Sequence, residues 1–89
     1  MKAVITVIGK DMVGILAKVS GVCTDKSANV IEVTQSILGD LFAMIMVVDI
    51  TKMTCSLPEL SDKMNALGES LGLSIHVMHE DIFHSMHRI

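Results

Sequence analysis

Residues 2–8, Lys-Ala-Val-Ile-Thr-Val-Ile, form a short β-branched run closed by Gly9 and predict a first strand. From Met12 the apolar positions fall at 12, 15, 16, 19, 22 and 23, one stripe at helical period. They predict a helix over 12–27, with Asp11 placed to cap it. Residues 30–38 alternate, Ile31, Val33, Gln35 and Ile37 opposing Glu32, Thr34 and Ser36, as a half-exposed edge strand does. Gly39-Asp40 then predicts a tight hairpin into residues 41–50. That third strand is apolar on both sides, Leu41, Ala43, Ile45 and Val47 against Phe42, Met44, Met46, Val48 and Ile50, so both its faces are expected to be covered. Ser56-Leu57-Pro58-Glu59 has the spacing of a capping box with proline in the first turn. Leu57, Leu60, Met64, Leu67 and Leu71 give the helix that follows its stripe, and Gly72 stops it. Residues 73–79 alternate as a fourth strand, and Ile82, Phe83, Met86 and Ile89 repeat at the spacing of a short terminal helix.

With right-handed crossovers, this order gives an α+β, ferredoxin-like βαββαβ fold: an antiparallel sheet with two helices on one face, plus a short C-terminal helix. A length of 89 residues allows one domain, and 51% hydrophobic against 19% charged residues supplies enough apolar surface to fold it. The fold hosts many activities, so function is read from residues. Ten carboxylates against seven basic side chains, with no basic block, exclude an electrostatic footprint for nucleic acid. Base stacking on the sheet is excluded as well, because the only aromatics are Phe42 and Phe83. The loop after the first strand, Gly9-Lys10-Asp11-Met12, has neither the paired cysteines of a metal chaperone nor the arginine of a phosphate-binding enzyme. The longest apolar run, 41–48, is far short of the ~20 residues that cross a bilayer. Cys23 and Cys55 stand apart with no metal-finger spacing, which fits a reduced, cytoplasmic setting. Cys23 falls on a buried stripe and reads as an inert core thiol, while Cys55 has no orienting partner. No catalytic constellation can be assembled, so the chain is expected not to be an enzyme and to need no cofactor.

Candidate chemistry gathers in two places. Gly9-Lys10-Asp11-Met12-Val13-Gly14-Ile15-Leu16 joins a strand to a helix and nearly mimics the dinucleotide fingerprint, but Asp11 would set a carboxylate where that fingerprint needs glycine. Free N–H groups at a helix start attract a small carboxylate, and Gly14 is expected to give it room. Gly21 is expected to pack closely on the sheet. His76, His79, His84 and His87 crowd the C-terminal end, but His76 and His79 leave opposite faces of a strand, so solvated histidines are expected there and no metal.

The loop Gly9, Asp11, Gly14 with Ile15-Leu16, the Ala28-Asn29-Val30-Ile31 entry to the second strand, and the element order together resemble the ACT domain, a ferredoxin-like module that binds amino acids and regulates metabolic enzymes or transcription. The closing Asp81-Ile82-Phe83 and Met86-His87-Arg88-Ile89 resemble the tail of small stand-alone ACT proteins. The resemblance implies an ACT-like domain over 1–80, a helical tail over 81–89 and a homodimer. It also implies an amino-acid-like ligand at the dimer interface, held by Asp11, Met12, Val13, Gly14 and Ile15 and faced by Asn29 and Ile31. The alternative it leaves is a ligand-free module docking on a metabolic enzyme or regulator. Many ACT domains carry Arg-Pro where this chain has Met12-Val13, so a carboxylate would be held here without a guanidinium.

Overall fold

The computed structural model describes residues 1–10 and 13–86, the side chain of Met86 excepted. Its elements are β1 (Lys2–Lys10), α1 (Ile15–Asp25), β2 (Asn29–Leu38), β3 (Leu41–Asp49), α2 (Leu57–Leu71), β4 (Ser74–His79) and α3 (Glu80–Met86). The strands form one antiparallel sheet in the order β2-β3-β1-β4, which puts β2 at an edge as its alternation predicts. α1 and α2 cover one face. Ile15, Val19 and Cys23 from α1 and Leu60 and Met64 from α2 meet Ala3, Ile5, Val7, Phe42, Met44, Met46, Val48 and Ile75 in a single core.

Local chemistry sets the helix limits. At α2 the Ser56 hydroxyl accepts the Glu59 N–H at 3.2 Å, Pro58 lies in the first turn, and Gly72 closes the end with φ 71°. Gly68 lets α2 lie against the strand after it, since a Cβ there would come within 2.7 Å of the Leu73 carbonyl oxygen. α1 departs from expectation. It spans Ile15–Asp25 and not 12–27, because Gly14, with φ 85° and ψ 12°, is its N-cap and makes no side-chain capping bond. Asp11 therefore does not hold the N-cap position, and Asp11 and Met12 themselves lie outside the described residues. At the other end Ser27 takes φ 59°, a left-handed position usually given to glycine, and Ala28 donates its N–H to the Cys23 carbonyl at 2.8 Å. Gly21 is exposed with nothing within 4 Å of a Cβ, so packing against the sheet does not explain it.

Two more expectations are corrected at the sheet. β1 runs past Gly9 to Lys10, paired with Leu41. In β2 the register shifts between Val30 and Glu32, so Ile31 is an extra, bulged residue, 48% exposed, while Val30 and Val33 both pack against the core. The bulge reverses the alternation that strict period two would carry through Ile31.

β3 is covered on one face only. Phe42, Met44, Met46 and Val48 are buried, whereas Leu41 and Ile45 on the opposite side are 41% and 40% exposed. α3 lies on this second face against β1 and β4, where Val4 is buried outside the main core. Among the described residues, these seven of helix are too few to cover the rest.

Candidate functional site

The first half of the candidate site is the start of α1. Lys18 donates its N–H to the Gly14 carbonyl at 3.0 Å, closing the first helical turn. The N–H groups of Ile15, Leu16 and Ala17 precede that bond and have no intrahelical acceptor. Among the described residues no acidic side chain stands in that first turn. Nothing lies within 4 Å of a Cβ on Gly14, so the glycine is required by its positive φ and not by a crowded neighbour. Ile15 is buried in the core and can offer a ligand only its backbone, while Val13 is 97% exposed.

The second half lies at the other end of the sheet. Asn29 is paired with Asp49, and Lys10, from which the chain leaves toward α1, is paired with Leu41. Leu41 and Asp49 are the two ends of β3, about 26 Å apart at 3.3 Å per residue. Within one protomer, residues 13–15 and Asn29 do not converge on one small ligand.

Around Asn29 the structure adds residues that sequence reasoning missed. Ser27, Asn29, Asp49, Thr51 and Lys52 line an open polar depression of about 570 Å³. Hydrogen bonds from Thr51, first through its hydroxyl and then through its backbone N–H, hold the Asp49 carboxyl below its ordinary value. The backbone bond is 2.8 Å long, and the N-terminal amine donates to the Thr51 hydroxyl oxygen at 3.0 Å. The depression thus holds a carboxylate, an ammonium and an amide, a set able to meet both charged ends of an amino acid. Counting hairpin register back from Gly39-Asp40 would have found Asp49 near Asn29, had the bulge been allowed for.

The histidines do not join this site. His76 stands on the open sheet face, its Nε2 3.2 Å from the Ser74 hydroxyl. His79 Nδ1 accepts the Asp81 N–H at 3.2 Å and lies 3.5 Å from that residue's carboxylate. Accepting from the N–H requires an unprotonated Nδ1, so in that tautomer the carboxylate contact is no ion pair. Among the described residues no three His, Cys, Asp or Glu side chains are placed to share a metal ion, and His87 lies outside them. Cys23 is fully buried, and burial pushes its thiol up to about 11. No helix among the described residues is long and apolar enough to cross a membrane.

Comparison with known proteins places this geometry. The sequence profile of the ACT domain matches residues 2–78. A UPF0237 protein of Methanococcus maripaludis is 48% identical over 86 residues, covering 97% of this chain and 96% of the relative. The solved ACT domain protein from Streptococcus pneumoniae superposes with a TM-score of 0.81 at 35% identity, covering 93% of each chain. The ligand-free regulatory subunit of aspartate kinase from Thermus thermophilus shares the fold at a TM-score of 0.65 and 22% identity, over 85% of this chain and 49% of that one.

Proposed function

From the premise that this chain belongs to the ACT domain family, we propose that it is a regulatory, non-enzymatic module that binds an amino acid or related small carboxylate where two copies meet. Residues 1–80 form the binding domain and 81–89 its tail. The protomers pair through β2, and two free cysteines fit a cytoplasmic setting.

The observation that carries this reading is the separation of about 26 Å between the two halves of the site. Antiparallel pairing of β2 with a symmetry mate sets the Asn29 end of one copy beside the Leu38 end of the other, and Leu38 is paired with Leu41 at the end where α1 begins. Pairing shortens the separation from about 26 Å to about 14 Å, three strand spacings of about 4.8 Å between Asn29 of one copy and the Lys10 end of β1 in the other. The first-turn N–H groups of α1 would take the ligand carboxylate, Asn29 and the bulge at Ile31 would face it, and Asp49 stands where its ammonium could be met. Among the described residues no arginine supports the carboxylate, so binding in the millimolar range is expected. One observation favours the ligand-free alternative: Val13 projects an almost fully exposed apolar side chain from the loop, as a docking contact to a metabolic enzyme or regulator would.

Calorimetric titration against the twenty amino acids tests the reading. One of them should bind, and Asn29→Ala should weaken it several-fold with no loss of folding. Silence from all twenty at millimolar concentration would hand the function to the docking alternative. Gly14→Val is no clean probe, because a β-branched residue at φ 85° strains the backbone whatever it does to a ligand.

A further inference from the structure

Among the described residues α3 is the shortest helix, 7 residues against 11 in α1 and 15 in α2. A helix below ~12 residues does not persist in water by itself, so α3 depends on what holds it. It packs against β1 and β4, where Val4 is buried, and Phe83 helps to line a groove of about 590 Å³ with Thr6, Ile8, Ile45 and His76. Its start is tied to His79, the last residue of β4, whose Nδ1 accepts the Asp81 N–H at 3.2 Å. A side chain that accepts from the first free N–H groups is a helix cap, here an imidazole in place of a hydroxyl or carboxylate.

An imidazole differs from those caps because it gains a proton between about pH 5 and 8. In the tautomer that accepts through Nδ1 the proton sits on Nε2, so a second proton goes to Nδ1. Nδ1–H then faces the Asp81 N–H, donor against donor, and a positive charge stands at the positive end of the helix. The compensation is small: the Asp81 carboxylate, 3.5 Å from Nδ1, is 86% exposed, and ion pairs open to water contribute little. The other charged or titratable groups nearby are the half-buried Glu80, Lys2 next to the β1 partner Ala3, and His76 on β4. α2, which packs on β4, carries Glu59, Asp62, Lys63 and Glu69, all exposed. Among the described residues only Asp81 comes within ion-pair distance of the His79 ring. His84, in the last turn of α3, meets the negative end of the dipole when protonated and so opposes release.

We propose that α3 is a pH-responsive flap. With His79 neutral its start is capped and it rests on the sheet; protonation of His79 removes the cap and releases the helix. The docked state keeps its stability above the titration range of the imidazole and loses it as pH falls through that range. Release uncovers Val4 and opens the groove on the face opposite α1 and α2.

Amide hydrogen exchange on the full chain at about pH 7.5 and about pH 5.5, expressed as protection relative to the unstructured rate at each pH, tests this. Protection of the α3 amides should fall roughly fivefold at the lower pH, the size of one lost cap, while α1, α2 and the sheet hold theirs. His79→Asn keeps an acceptor that does not titrate in this range, so its α3 should be equally protected at both pH values. His79→Ala should show at the higher pH the weak protection that the parent shows only in acid. An α3 unprotected throughout, protection in the parent that ignores pH, or an acid loss that survives in His79→Asn overturns the flap, the last by assigning the effect to His84 or His76. A loss shared by α1 and α2 overturns it as well, because it reports acid unfolding of the whole chain.

Discussion

The two faces of the sheet are both built from strand positions of period two, yet only one behaves as a protein interior. Under α1 and α2, Ile5, Met44, Met46, Leu60 and Met64 are all but inaccessible to water. On the other face, Ile8, Leu41 and Ile45 keep between 40% and 47% of their surface in solvent, because among the described residues the helix on that face, α3, has seven residues and lies against β1 and β4. The alternation decides which residues point each way. What covers them depends on elements that the strand pattern does not encode. Methionines on the covered face show what coverage permits: long, unbranched thioethers fill the irregular space between sheet and helices.

Truncation should break the comparison most sharply. Leu60→Ala removes a fully buried side chain from the covered face and is expected to cost about 2–5 kcal/mol in denaturant unfolding. Ile45→Ala on the open face should cost under about 1 kcal/mol, measured below the concentration at which copies associate. Equal losses would mean the two faces are equally covered.

Alkali provides the next largest effect. The folded-state pKa of Cys23, about 11, lies above the ordinary thiol value of 9.0, so its contribution is complete below pH 9 and is lost as pH rises through 11. A two-unit shift corresponds to roughly 2–3 kcal/mol, a fall in unfolding free energy that Cys23→Ala should largely remove. Thiol labelling at neutral pH should modify the half-exposed Cys55 and spare Cys23. Gly68→Ala should cost about 1–3 kcal/mol, since its new Cβ meets backbone that cannot swing aside. Smallest, and opposite in sign, is Ser27→Gly, which relieves a left-handed φ of 59° and should stabilise by about 0.5–1 kcal/mol, read as a higher denaturation midpoint.

Much of this was legible beforehand. The capping box at Ser56, the stop at Gly72 and the hairpin at Gly39-Asp40 each rest on interactions within a few residues, and all three stand where the sequence places them. The misreadings share a different origin. Asp11 is a good capping residue by type, but Gly14 takes the N-cap through a backbone conformation that side-chain propensity does not report. The bulge at Ile31 adds one residue to a ladder, which no count of alternating positions inside β2 can detect. Likewise, that Asn29 and the start of α1 stand at opposite ends of one protomer's sheet is set by strand register, which no local pattern reports. Asp49 and Lys52 were overlooked for the same reason, since their nearness to Asn29 is a property of pairing and not of local pattern.

That separation makes the central claim measurable in one experiment. In an amide nitrogen–proton NMR titration with the amino acid that calorimetry identifies, the signals of Ile15 to Ala17 and those of Asn29, Asp49 and Thr51 should shift together, with one dissociation constant, because a single ligand touches both ends across the β2 dimer. Shifts confined to one end, or two unrelated dissociation constants, would contradict a ligand held between protomers.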